Sequence, residues 1–340
     1  MKIDCNMRIL TLIGLLMLNG AFVCEPPQKE EISPDGKKVY HNPVVAKSLS
    51  DPTIIKAGDG FFYLYATEDT RNTPIYKSKD LVNWEFVETA FTAETRPTFE
   101  PKGGLWAPDI NYINGKYVLY YSMSVWGGEW TCGIGIATSD SPDGPFTDHG
   151  KLFRSNEIGV QNSIDPFYIE EDGKHYLFWG SFRGIYYIEL TSDGLAILPG
   201  AEKKQIAGTA YEAVYILKNG GYYYMLASIG SCCEGVNSTY NTVVGRAGNL
   251  LGPYLNKIGQ DMMNNRHVSL IRGNDRFVGT GHNSEVVTDE NGKQWILYHA
   301  VDKVNPKGRV LMLDELQWKD GWPFVNDGTP SLEWERPFFN

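Results

Sequence analysis

The sequence predicts an all-β fold, a five-bladed β-propeller with four-stranded antiparallel blades. Three observations predict it. First, a Gly-containing turn followed by an aromatic and apolar run occurs five times. The copies are Asp59-Gly60 before FFYLYA, Asn114-Gly115 before KYVLYYS, Asp172-Gly173 before KHYLFWGS, Asn219-Gly220 before GYYYMLAS, and Asn291-Gly292 before KQWILYHA. Asp-Gly and Asn-Gly supply the positive φ angles of tight hairpin turns, and aromatic and β-branched residues suit strands. Second, a further strand-pair segment follows each hairpin: 74–87, 133–146, 184–194, 242–254 and 310–325. Third, no long helical periodicity interrupts the series.

The N-terminal residues stand apart from the repeats. Lys2 and Arg8 precede a mostly apolar stretch from Ile9 to Val23, the pattern of an export signal, so 1–24 is set aside from the fold. Cys24 follows directly and offers a site for lipid attachment after cleavage. The expectation is an exported protein, whether periplasmic, a cell-surface lipoprotein or secreted. Residues 25–40, with Pro26, Pro27, Lys29, Glu30 and Glu31, read as a solvated tether, and 41–340 as the propeller, a catalytic domain. No segment after residue 24 is apolar enough to span a membrane. Of the five cysteines, Cys132, Cys232 and Cys233 belong to the body, and their spacing is not that of a zinc site. The adjacent pair reads as small buried thiols or as a vicinal disulfide, the former slightly preferred.

Composition narrows the function. The formal charge of −10 argues against nucleic acid and polyanionic substrates and leaves a neutral polymer open. Twenty Tyr and nine Trp suit surfaces that stack on sugars. A monomer is expected.

The repeat also locates the chemistry. Counting eight residues back from the turn glycine gives Ala107, Asp165, Glu212 and Ser284 as copies of one position, and one more residue back in the first copy gives Asp51. Equivalent positions of different blades are related by rotation about the axis. If they start the strands nearest the axis, Asp51, Asp165 and Glu212 converge on one space. The alternative is that the two aspartates merely cap turns before Pro52 and Pro166.

Several phrases resemble glycoside hydrolase family 43, and among its members the endo-arabinanases. They are DPTIIK (51–56), LWAPDI (105–110), NSIDPF (162–167), FWGSFRGIYYIEL (178–190), the run from Tyr211 to Arg246 containing CCEGVNSTYN, GHNSEVVTDENGKQWILYHA (281–300) and DGWPFVNDGTPS (320–331). The resemblance implies a five-bladed propeller and an inverting hydrolase acting on arabinan or arabino-oligosaccharides. It implies Asp51 as general base, Glu212 as general acid, and Asp165 as the carboxylate that orients the acid and raises its pKa. An inverting glycosidase needs such a pair, one carboxylate activating water and one carboxylic acid protonating the leaving oxygen. The resemblance further implies that His282 sits near the axis beside a bound calcium, often through water. The sequence departs from the family pattern in two places: Ser50 precedes Asp51 where His is usual, and Ala213-Val214 follow Glu212 where a small residue and Pro are usual.

Trp106 and Trp126 are candidate sugar platforms, and Asn162, Ser181 and Tyr240 candidate sugar hydrogen-bonders. Asp109 reads as structural, Glu285 as a possible calcium ligand, and Asp289 as part of a turn. The other readings kept open are an exo-acting α-L-arabinofuranosidase or β-xylosidase of the same family, and a non-catalytic carbohydrate-binding propeller.

Overall fold

The computed structural model describes residues 31–339. The export signal, Cys24 and residues 25–30 of the expected tether lie outside them.

Five antiparallel blades form in chain order, the last two joined by one parallel bridge between Asn241 and Thr280. The first contains Thr53–Lys56, Phe62–Tyr65, Pro74–Ser78 and Glu85–Thr89. The second contains Gly104–Ile113, Lys116–Ser124, Gly133–Ser139 and Thr147–Arg154. The third contains Phe167–Glu171, Lys174–Trp179, Ile185–Leu190 and Lys204–Ala207. The fourth contains Glu212–Asn219, Tyr222–Ile229, Asn241–Ala247 and Val268–Ile271. The fifth is built on Gln294–Asp302, Val310–Lys319 and Trp322–Val325. Its first strand is broken into Phe277–Gly281 and Val286–Thr288, both pairing with Gln294–Asp302.

The predicted hairpins are the first strand pairs, and their turn residues have the expected left-handed backbone, as at Asn114-Gly115 and Asp172-Gly173. The second pairs differ from the prediction in three blades. Their outer strands lie further along, at 147–154, 204–207 and 268–271, because irregular chain fills 140–146, 191–203 and 248–267.

The hydrophobic core lies between blades rather than within one centre. Tyr65, Ile75, Leu119 and Tyr121 form a cluster joining the first and second blades. Val118, Tyr120, Leu177 and Trp179 join the second and third. Burial of this kind contributes roughly 25 cal/mol per Å² of apolar surface, so each blade depends on both neighbours.

Both ends of the described chain close the ring. Val45–Ser48 pairs with Val310 and Leu311 as extra outer strand to the fifth blade. Tyr40 Oη donates to the Leu313 carbonyl at 2.6 Å. Asn42 acts as a strand fragment, donating to Leu313 O at 2.8 Å and accepting from Leu313 N at 2.9 Å. Glu31–Ile32, Lys38–His41 and Glu333–Glu335 make a separate three-stranded sheet. The tether reading of 25–40 is therefore corrected from Glu31 onward. Its charged, exposed outer residues masked the buried Val39 and Tyr40.

Cys232 and Cys233 form a disulfide, and Cys233 is exposed, so the buried-thiol reading is wrong for this pair. Cys132 is a buried free thiol.

Candidate active site

Each blade enters the axis through a non-glycine residue in the left-handed region: Asp51 (φ 54°), Ala107 (40°), Asp165 (59°), Ala213 (55°) and His282 (48°). Such a backbone costs roughly 1–2 kcal/mol per residue, and strain of this kind gathers where function fixes a geometry. The left-handed residue also corrects the eight-residue count in two blades. In the fourth, Asn219 pairs with Tyr222 and the turn is Gly220-Gly221, so counting from Gly221 gives Ala213. Glu212 stands one residue earlier, at the place Trp106 occupies in the second blade. In the fifth, the equivalent residue is His282 rather than Ser284, because extra residues lie between the two parts of the broken first strand.

A hydrogen bond braces each of these backbones to the preceding blade. Ala107 N donates to Thr67 Oγ1 at 2.8 Å, Asp165 N to Ser122 Oγ at 2.9 Å, and His282 N to Ser228 Oγ at 2.8 Å. Asp51 N donates to His299 Nδ1 at 3.2 Å. The acceptors Thr67, Ser122, Ser228 and His299 occupy one repeat position near the end of the second strand. The copy of that position in the third blade is Gly180, which has no side chain, and Ala213 N donates to Asp165 Oδ2 instead, at 3.1 Å.

Asp51 is nearly buried and surrounded by cationic and polar partners. Arg309 Nη1 lies 2.8 Å from Oδ1, His299 Nδ1 3.1 Å and His282 Nδ1 3.3 Å. Thr67 Oγ1 donates to Oδ2 at 2.5 Å. Burial alone would raise the Asp51 pKa. The positive charge of Arg309, then His282 and His299, outweigh burial and hold it well below the usual carboxylate range. At neutral pH the Arg309 guanidinium carries this effect. Burial lowers the His282 pKa to about 4 and also lowers that of His299, so both rings are uncharged there. His299 Nδ1 faces both the Asp51 N–H and Asp51 Oδ1, while its Nε2 is a buried atom with no hydrogen-bond partner among the described residues.

Asp165 and Glu212 behave oppositely. Burial pushes the Asp165 pKa well up, and the negative charges of Glu212 and Asp51 add to it. Burial also raises the Glu212 pKa. Hydrogen bonds from Ser181 and Tyr240 oppose the rise, and the charge of Asp51 supports it. The buried pair Asp165–Glu212 therefore keeps a proton above the ordinary carboxylate range, while Asp51 gives its proton up. Two kinds of carboxyl, one acidic and one proton-holding, share one site.

The other expected residues are placed unevenly. Trp106 is half-buried beside Ala107. Trp126 is 82% exposed, in the loop after Lys116–Ser124, and Trp130 in the same loop is 49% exposed. Ser181 and Tyr240 are buried, and both direct their hydroxyls to Glu212, with Ser181 Oγ donating to Oε2 at 2.6 Å. Asn162 donates to Ser181. Glu285 has its carboxylate occupied by protein donors. It accepts from Thr53 Oγ1 at 2.8 Å and Ile54 N at 2.6 Å, and it interacts with buried Asp109. Asp289 accepts from Lys293 N and Trp295 Nε1, as a turn residue does.

Among the described residues, no group of three or more His, Cys, Asp or Glu converges on a metal position. Calcium takes six to eight oxygen ligands as a rule. The groups beside Asp51 are two imidazoles and a guanidinium, so a cage of protein oxygens does not fit. The set suits only an ion held mainly by water, with His282 as its single protein contact.

Sequence reasoning does not find Arg309, His299 or Thr67. Arg309 belongs to no repeat phrase. Its one signal is a cation standing immediately before the buried run Val310-Leu311-Met312-Leu313.

Comparison with known proteins agrees with this geometry. The model of the family "Glycosyl hydrolases family 43" matches residues 40–323. The chain is similar to an extracellular exo-α-(1→5)-L-arabinofuranosidase of Cellvibrio japonicus, 36% identical over 308 residues, covering 82% of this chain and 86% of that protein. It is also similar to an extracellular endo-α-(1→5)-L-arabinanase of Bacillus subtilis, 37% identical over 290 residues, covering 81% and 87%. Among solved structures it resembles a Cellvibrio cellulosa α-L-arabinanase complexed with arabinohexaose, with a TM-score of 0.75 and 35% identity, covering 82% of this chain and 96% of that one.

Proposed function

The chain belongs to glycosyl hydrolases family 43, and from that premise we propose that it is an inverting, endo-acting hydrolase of α-1,5-linked L-arabinofuranosyl bonds in arabinan. Hydrolysis of arabinan follows from the relatives, which are arabinanases and arabinofuranosidases at 36–37% identity. One observation carries the mechanism: the same buried space holds a carboxylate depressed by Arg309 and a carboxyl pair raised by burial.

Asp51, ionised at neutral pH, takes a proton from a water that attacks the anomeric carbon. Glu212 gives its proton to the leaving glycosidic oxygen as the carbon–oxygen bond breaks. The attacking water adds opposite the leaving group, so configuration inverts, and both carboxyls return to their starting state by exchange with solvent. Asp165 accepts the Ala213 N–H, which fixes the backbone beside Glu212, and its negative charge, when present, disfavours the Glu212 anion. Trp106, at the copy of the Glu212 position, offers a ring face to a furanose.

Calcium is proposed on the family resemblance, with His282 as its contact and water as the remaining shell. When bound there it supplies positive charge near the axis. Export is supported by the extracellular relatives and by the Cys232–Cys233 disulfide, a bond of oxidising compartments. Lipid attachment at Cys24 is the proposed anchor.

Product analysis on linear arabinan tests the reading. Early proton NMR should show the anomer opposite to the substrate, and chromatography a spread of oligosaccharides. Glu212→Ala should abolish turnover, since a positioned acid contributes typically about 10²–10⁴-fold. Retention of configuration would overturn the role assignment, and a single small product would make the enzyme exo-acting.

A further inference from the structure

Four of the five blades use the same device near the axis, and the exception lies at the proposed acid. Thr67, Ser122, Ser228 and His299 each brace the next blade's left-handed residue. In the third blade that position is Gly180, which has no side chain, and Asp165 Oδ2 accepts the Ala213 N–H instead. Ser181 stands one residue further on. Its hydroxyl turns to Glu212 Oε2, at 2.6 Å.

Asn162 decides where that hydroxyl hydrogen goes. The Asn162 side-chain nitrogen lies 3.1 Å from the Ser181 carbonyl oxygen and 2.9 Å from Ser181 Oγ. A carbonyl only accepts, so the amide must present Nδ2 there. The same Nδ2 therefore donates to Oγ as well. The amide oxygen faces the Cys132 thiol, a donor, at 3.9 Å, which agrees with that orientation. With Oγ accepting from Asn162, the hydrogen of Ser181 is left for Glu212 Oε2. Asn162 itself is held by its left-handed backbone (φ 56°) and by its N–H, which donates to Glu129 O at 2.7 Å.

We propose that Asn162 and Ser181 form a relay that keeps the transferable proton of Glu212 off Oε2, and that both are positioning residues for the acid. An oxygen already accepting the Ser181 hydrogen is the poorer place for the proton. The inference rests on Glu212 being the acid, and it gives Asn162 and Ser181 a role other than bonding sugar.

The ionisable groups that act on Glu212 are Tyr240, Asp51, Asp165 and Arg309. None is altered by truncating Ser181, so a change in titration belongs to the lost hydroxyl. That hydroxyl stabilises the Glu212 anion. Removing it raises the acid's pKa and moves the basic limb of the kcat/KM profile to higher pH.

The experiment compares Ser181→Ala, Asn162→Ala, the double variant and Ser181→Thr on linear arabinan and on an aryl arabinobioside with a good leaving group. Ser181→Ala should lose roughly tenfold or more on arabinan, the scale of a hydrogen bond to a charged group, and less on the aryl substrate. Its basic limb should move up. Asn162→Ala should move the limb the same way, and the double variant should be no worse than Ser181→Ala alone, because a relay is not additive. Ser181→Thr keeps the hydroxyl and should restore activity. An unmoved basic limb, equal losses on the two substrates, or additive losses would overturn the relay. If Ser181→Ala fails to fold, the limb of Asn162→Ala carries the test. Failure of the acid assignment is read separately: Glu212→Ala would then still hydrolyse arabinan.

Discussion

Replacing Arg309 by Met removes the guanidinium 2.8 Å from Asp51 Oδ1 and keeps most of the side chain's bulk. Both partners are largely shielded, at 19% and 9% side-chain exposure. Two unit charges about 4 Å apart interact by about 4 kcal/mol at an effective dielectric of about 20. Removing one partner of a buried pair costs about 3–5 kcal/mol, and the two figures agree. The loss divides between two outlets. Above the pH where Asp51 ionises in the variant, an uncompensated carboxylate destabilises the fold. Below it, the carboxylate escapes by taking a proton, and the base is lost. Asp51 is depressed in the native protein, so its stabilising contribution is full above the unfolded pKa and disappears as pH falls through the folded value. Without Arg309 that loss begins at higher pH, and the acidic limb of kcat/KM moves up. His282 limits the shift, because Arg309 is one of the charges that keeps its ring neutral. Adding His282→Asn to Arg309→Met should therefore move the limb further than Arg309→Met alone. The assay is kcat/KM on linear arabinan across the acidic range, with melting temperature measured beside it. An acidic limb that stays where it is, in a folded Arg309→Met protein, would refute the claim that Arg309 sets the charge of Asp51.

Glu285 gives a stability test away from the chemistry. Burial raises its pKa to about 7, so the fold favours its neutral form, and stability falls as pH rises from the ordinary Glu range towards that value. Glu285→Gln should flatten the pH dependence of the melting temperature over that window, and an unchanged slope would count against it. Asn42→Ala leaves the buried Leu313 N unpaired and Leu313 O with Tyr40 Oη as its remaining side-chain donor, and should cost about 1–3 kcal/mol in urea unfolding. Loss below a few tenths would mean that water replaces the amide. For calcium, chelation should lower melting temperature or activity and added calcium should restore it, the stabilisation growing with ion concentration. Metal analysis showing no ion, with activity indifferent to chelator, would leave His282 as a partner of Asp51 alone.

The hairpins were legible because a tight turn demands Gly beside Asn or Asp, and the strand after it demands aromatic and apolar residues. That rule exposed five blades, and with them Asp51 and Asp165. The count slipped at Glu212 because Asn219 is paired in its strand and the turn passes to Gly220-Gly221, a shift that leaves no mark in composition. It slipped at His282 because a broken strand inserts residues that look like any others. Arg309 and His299 were invisible for a different reason. Their distance from Asp51 along the chain is about as large as the fold permits, with Arg309 258 positions after Asp51, and only ring closure brings them together. The export signal and the anchor at Cys24 are compositional readings that lie outside the described structure.

Ring closure has a consequence for synthesis. Tyr40 waits for Leu313, 273 residues later, before its hydroxyl finds a carbonyl, and Val45–Ser48 waits equally long for its partner strand. A chain emerging from its N-terminus thus cannot complete its last blade, or assemble Arg309 and His299 around Asp51, until almost everything else has been made. The cost of closing so long a loop grows only slowly with length, but the delay grows in proportion to it. For a chain exported unfolded, as the proposed export allows, this late closure is an advantage. The segment that ends folding is also the one that brings Arg309 to the proposed base, so on that reading a molecule halted partway is inactive as well as open.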